Sequence, residues 1–268
     1  MTGRRDKEKS KSMLSNQKGR TVVELITGIT VGAILVAGVL QTYSGFVKSN
    51  VAVKNETVLQ EHLARANQVL EKDIRMAGYN VPGTGIVVDQ SVADKHILRV
   101  LMNEDNLSTT LAVSVSAGNT KFLIAEDKGA QVGQWVILQD DKEFAYYEIA
   151  HVGVNATDID TITIYGALAK GWSAAQTGII FATCYKYSLE TVGAVTSLVR
   201  RTHDDSYTIS EEIDGMTITP KDDTGHTITL DIEKDARSIS VVLKSLINDI
   251  NGPKTVTNTV EAAIRNFS

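Results

Sequence analysis

The chain has 268 residues, of which 22% are charged, 43% apolar and 6% aromatic, with three prolines, one cysteine and a net charge of −5. That is enough apolar material to bury a real core, which excludes disordered, collagen-like and disulfide-scaffold classes. The charge is uneven: residues 1–19 hold six Lys/Arg against Asp6 and Glu8, leaving 21 basic and 30 acidic side chains in the rest, which repels phosphate backbones, so no nucleic-acid partner is expected. Cys184 cannot close an intrachain disulfide and sits in the apolar run Ile179–Tyr185, where a small buried core residue is expected.

No Asp, Glu, Lys or Arg occurs between Glu24 and Lys48. As a helix these 23 residues extend roughly 35 Å, against about 30 Å of hydrocarbon in a bilayer. The basic leader predicts a cytoplasmic N-terminus, with everything after about residue 48 on the far side of the membrane. A cleaved secretory signal competes, but it needs a shorter apolar run and a small-x-small site, and Gln41–Gly45 offers a poor one. Glu24 is the unusual residue, because a carboxylate one turn into a membrane helix costs several kcal/mol unless something neutralises it. Two readings are open: it lies at headgroup level, where the helix macrodipole favours an anion, or it has a dedicated cationic partner.

The string Lys18-Gly19-Arg20-Thr21-Val22-Val23-Glu24-Leu25 resembles the signal of type IV prepilins and pseudopilins. In that family a basic leader ends in glycine and a dedicated membrane peptidase cuts after it, here between Gly19 and Arg20. The resemblance implies that the new α-amine of one subunit pairs with the acid five positions along a neighbour, here Glu24, which sets axial register while the helices bundle as the filament core. It also implies the partners: other pilins or pseudopilins, the prepilin peptidase, an inner-membrane assembly platform, and membrane lipid before assembly. Arg20 departs from the pattern, since the family places Phe or another apolar residue first and methylates its amine. An arginine four residues before Glu24 has helical spacing for an ion pair within its own chain, which favours a minor over a major subunit.

Residues 48–79 lack proline and keep a 3.6-residue apolar stripe through Leu59, Leu63, Ala66, Leu70, Ile74 and Ala77, opposite a charged face including Glu61, Arg65, Lys72 and Arg75. Gly78 and the following Tyr79-Asn80-Val81-Pro82-Gly83 supply stop signals, so a helix over 20–79 is predicted, a rod of roughly 90 Å whose second half needs a covering partner. Beyond it, alternation at Thr161–Ile164, Thr227–Ile232, Ser238–Val241 and Val256–Ile264 predicts strands, and Asp140-Asp141 a hairpin turn between Trp135–Leu138 and Phe144–Ile149. One-sided alternation means an antiparallel sheet with one face covered, and the amphipathic helix is the expected cover. The expected class is therefore α+β, with a leader over 1–19, a long helix over 20–79 whose membrane part is 21–47, and a β-rich head over 80–268.

Several further strings sharpen the resemblance. Asp73-Ile74-Arg75-Met76-Ala77-Gly78-Tyr79, Val132-Gly133-Gln134-Trp135-Val136-Ile137-Leu138 and the terminal Val260–Asn266 are similar to PilW-like minor pilins and to J-type minor pseudopilins of type II secretion. Prepilin-type cleavage and N-methylation, pilus assembly and a place in a tip or priming complex follow as expectations.

Enzymatic patterns fail on geometry: Gly83-Thr84-Gly85 precedes a strand rather than a helix, Gly171–Ala175 lacks the second glycine of a nucleophile elbow, and His62, His96, His151, His203 and His226 have no ligand spacing. No catalytic residue, cofactor or metal is expected, although Asp222-Asp223-Thr224-Gly225 and Asp158-Ile159-Asp160 offer oxygens of the kind calcium takes. Asn55, Asn106, Asn155 and Asn266 open glycosylation sequons, a short pattern that chance often produces. Three functions stay in view: a minor pilin, cytoplasmic-membrane-anchored and then in a filament in the periplasm or on the surface, with the minor pseudopilin as its close alternative; a non-polymerising membrane-anchored external binding domain; and a membrane-anchored hydrolase.

Overall fold

The structure, a computed structural model, describes residues 5–126, 128–153, 160–228, 236–249 and 252–264, with side chains from Val22 onward except at 247–249. The sequons at Asn155 and Asn266, Asp158, and residues 229–232 of an expected strand lie outside the described residues. The fold is α+β, a long N-terminal helix and an antiparallel β head, and the chain divides into two compact units, Met1–Glu56 and Thr57–Ser268.

Helix α1 runs over Arg5–Met76. It starts inside the leader, ahead of the expected position 20, because residues 5–18 hold no proline or glycine and are rich in Lys, Glu and Arg, good helix formers. It stops three residues before the expected 79. Gly78 takes φ 77°, a conformation open to glycine, and its N–H leaves the helix to bond Leu101 O at 3.1 Å.

In the first unit the helix side chains from Val22 to Val47 are almost all exposed. In the second unit the stripe Leu59, Leu63, Ala66, Leu70, Ile74 and Ala77 is buried, while Glu61, Arg65, Lys72 and Arg75 face water. Each fully buried Leu or Ile contributes about 1.5–3 kcal/mol, so this stripe anchors the helix to the head far more strongly than its surface Arg75–Glu71 pair at 2.5 Å does.

The described residues of the head form two antiparallel sheets. The larger is built on β8 (Gly178–Val192), a 15-residue strand. Its first half pairs with β3 (Ser108–Thr110) and β5 (Trp135–Gln139), and its second half with β2 (Ile97–Met102) and β9 (Val195–Arg201). Outward from these lie β1 (Ile86–Asp89) beyond β2, β10 (Ser206–Glu211) beyond β9, and β6 (Phe144–Gly153), β7 (Asp160–Ile164) and β4 (Lys121–Ile124) in that order beyond β5. The smaller sheet has the order β11 (Gly215–Lys221), β12 (Ser238–Asp249), β13 (Gly252–Ala263).

The expected hairpin is present, with Gln139 opposite Phe144. Asp140 closes it by accepting the N–H groups of Lys142 at 2.9 Å and Glu143 at 2.8 Å and the Lys170 ammonium at 3.0 Å. The helix covers only part of the head. Its stripe shares one core with β1, β2, β8–β13 residues such as Leu98, Tyr187, Leu198, Met216, Val241 and Val260. A second core, with Phe122, Val136, Leu138, Ile149, Ile162 and Trp172, contains no helix residue and is closed by strands β4–β8 and their loops. Alternation alone does not say which face a helix covers and which a folded-over sheet covers.

Candidate functional site

The most distinctive surface is the apolar half of α1. It is one helix long and apolar enough to cross a membrane, and its most apolar stretch is entirely unburied. Leu25 and Ile29, for example, expose 65% and 64% of their surface. Its hydroxyls are already satisfied inside the helix: Thr27 Oγ1 donates to Val23 O at 2.7 Å, Thr30 Oγ1 to Ile26 O at 2.8 Å, and Thr42 Oγ1 to Gly38 O at 2.9 Å. This back-bonding lets a Thr sit in hydrocarbon without an orphaned polar group. An exposed contiguous apolar surface of this length needs oil or other protein around it.

Glu24 is the lone Asp, Glu, Lys or Arg from Val22 to Val47, and it is exposed. Gly28 lies four residues on with open space where a side chain would be, as at Gly32, Gly38 and Gly45, so another helix can approach the backbone there. The backbone at Gly19 and Arg20 is helical, and their side chains lie outside the described residues.

A second charged feature escaped the sequence reading. Asp73, quoted there within a motif but given no role, is 4% exposed and pairs with Arg200 Nη2 at 2.7 Å. The Tyr187 hydroxyl donates to the same carboxylate oxygen, Oδ2. Arg200 Nη1 donates to Tyr207 Oη at 2.8 Å, and the guanidinium carbon lies 3.9 Å from the Tyr185 ring centroid. The Tyr185 hydroxyl in turn donates to Glu104 Oε1 at 3.0 Å. Burial, then the Glu104 hydrogen bond, pushes the Tyr185 phenol up to about 12, and burial beside Asp73 pushes Tyr187 up as well. Both phenols therefore stay neutral donors. The signal was present in the sequence: Asp73 falls on the apolar stripe between Leu70 and Ile74, where an acid needs a partner. Nothing local marks Arg200 as that partner.

The remaining candidates are absorbed by structure. Asp222 accepts the N–H groups of Thr224 at 2.9 Å and His226 at 2.8 Å within its own turn. Asp160 is buried in β7. His96 Nδ1 accepts the Ile218 N–H at 2.9 Å, and Cys184 is a core residue whose thiol burial pushes up to about 12. Gly83-Thr84-Gly85 forms the turn after α1, with φ 74° at Gly83 and 64° at Gly85. Among the described residues no group of three or more His, Cys, Asp or Glu side chains has the geometry to hold a metal ion. No protein-family model, curated protein or solved structure matches the chain.

Proposed function

We propose that the chain is a minor structural subunit of a type IV pilus-like filament. It enters the cytoplasmic membrane with residues 1–19 inside, is cut between Gly19 and Arg20 by a prepilin peptidase, and waits with its head outside until an assembly platform moves it into the filament. The observation that carries this reading is a lone carboxylate, Glu24, five residues after a glycine, in an otherwise uncharged and wholly exposed apolar helix. In oil that carboxylate is costly alone and acceptable beside a cation. The α-amine freed at residue 20 of a neighbour is such a cation; residues 21–47 supply none, and the Arg20 guanidinium four residues before Glu24 on its own helix competes with it. The same construction serves a minor pseudopilin of a secretion filament, and Arg20 at the new N-terminus favours a minor place, at or near a tip, over the repeated body of the filament.

The test is the N-terminus of the protein from peptidase-containing cells, read by mass spectrometry. The expected mature chain starts at Arg20, and Gly19→Leu blocks the cut. A chain recovered with its first 19 residues intact and without like neighbours overturns the proposal.

A further inference from the structure

The smaller sheet treats its two edges in opposite ways. In an antiparallel strand alternate residues turn their N–H and C=O to one side. On β11 the outward residues are Met216, Ile218 and Pro220, because Met216 turns both its N–H and its C=O away from β12, to Asp94 and His96. Every outward group of that edge is capped. Met216 N donates to Asp94 O at 2.7 Å and Met216 O accepts from His96 N at 3.0 Å. Ile218 N donates to His96 Nδ1 at 2.9 Å, Ile218 O accepts from Gln90 Nε2 at 3.0 Å, and Pro220, which has no N–H, accepts from Ile228 N at 2.9 Å.

The opposite edge, β13, is uncapped among the described residues. Ile264 N bonds Arg237 O, so even-numbered residues face β12 and Thr255, Thr257, Thr259, Glu261 and Ala263 turn their backbone groups outward. Among the described residues nothing bonds those groups. The strand is 12 residues long, pairs with β12 without a bulge, and is uncharged from Thr255 to Val260. Long unbulged edges without a central charge are templates for another strand.

We infer that this edge pairs with β13 of a second copy of the chain. Residues 256–260 read Val-Thr-Asn-Thr-Val, identical in both directions. An antiparallel pair with its two-fold axis at Asn258 therefore sets Val256 opposite Val260 of the other copy, Thr257 opposite Thr259, and Asn258 opposite itself. It also sets Thr255 opposite Glu261, so outward residues meet outward residues and roughly eight inter-chain backbone hydrogen bonds form in register. A self-complementary patch of this kind gives a closed two-fold dimer. The inference concerns the head alone and does not rest on the pilin reading.

The test is disulfide trapping of the full chain in detergent. Asn258→Cys places the new thiols on the axis, at a Cα separation of about 4.5 Å that a disulfide spans. Thr255→Cys separates them by about 20 Å. Cys184 is buried and stays silent. The expected result is a homodimer with Asn258→Cys, at least about tenfold less with Thr255→Cys, and a similar loss when Thr257→Pro, which removes an outward N–H and spares the β12 ladder, is added. Equal trapping at both positions, indifference to Thr257→Pro, no homodimer, or trapping with a different protein alone overturns it. If the cysteine variants fail to fold, sedimentation of the unmodified chain against Thr259→Lys decides: a dimer that Thr259→Lys dissociates is expected, and a monomer, or a dimer that Thr259→Lys leaves intact, overturns it.

Discussion

Two acidic side chains, Asp73 and Glu24, stand out at the residue scale, and on the proposed function they differ in where their counter-charge comes from. Asp73 has its partner within the chain, in Arg200. Removing one member of such a buried pair leaves the other uncompensated, so Asp73→Ala is expected to destabilise the head by about 3 kcal/mol, or roughly 6–12 °C in thermal midpoint by calorimetry. The joint change Asp73→Leu with Arg200→Met is expected to recover most of that loss, because it leaves no orphan charge. No ion pair joins Glu24 to a side chain described from Val22 onward. Its replacement by Gln is therefore expected to leave head stability unchanged and, on the proposed function, to cut incorporation into filaments at least about tenfold, since an uncharged amide cannot hold an α-amine in oil. Filament fractions probed by immunoblot against total membrane content read this directly. Asp140 carries a pH dependence of its own. The Lys142 N–H first, then the Lys170 ammonium and the Glu143 N–H, lower its carboxyl from 3.8 to about 2. A folded-state value below the unfolded one contributes stability above the ordinary carboxylate range, which is lost as pH falls from about 4 towards 2. Asp140→Asn is expected to flatten that acid limb in a series of thermal melts over this range.

At the scale of elements, the parts legible in the sequence are those whose signal is local. The stripe from Leu59 to Ala77 repeats at helical spacing, the Asp140-Asp141 turn divides two apolar runs, and Gly78 marks a stop, so helix, hairpin and helix end all follow from neighbours a few residues apart. What was not legible depends on distant pairing. The strand β8 serves four other strands, and no pattern within Gly178–Val192 says so. Likewise the self-covered second core looks the same in sequence as a helix-covered one, and Asp73 announces a need for charge without naming Arg200. Glu24 was legible because it interrupts a uniform background. The junction after α1 shows how tightly a local stop signal is bound to the tertiary fold. Gly85 takes φ 64°, and a Cβ there meets the backbone of Gly78 and lies 2.6 Å from Leu101 O, the same carbonyl that holds the Gly78 N–H. Backbone atoms cannot swing aside as side chains do. Gly85→Ala is therefore expected to cost about 3 kcal/mol or more, and hydrogen exchange at the Gly78 and Leu101 amides is expected to accelerate with it.

At the scale of the whole molecule, the two units differ in what buries their apolar surface, and on the proposed membrane anchoring that separation predicts a double dissociation. The head is stabilised by burial within Thr57–Ser268, whereas the apolar residues from Val22 to Val47 are buried by nothing within the described chain and draw their stability from what surrounds them. A charge placed in the middle of the apolar segment, Ile34→Lys, costs about 2.5–3.5 kcal/mol in a bilayer and nothing in the head. Retention in membranes is accordingly expected to fall by about a hundredfold in its equilibrium, while the thermal midpoint of the head stays where it was. Asp73→Ala is expected to do the reverse, lowering the midpoint and leaving retention untouched, because the partner it removes lies wholly within the head. Sedimented membrane fractions and melting curves on the same pair of variants check both halves. If Ile34→Lys also lowered the midpoint, the helix would be stabilising the head through contacts of its apolar half, and the division of the chain at Glu56 would not describe how it is held together.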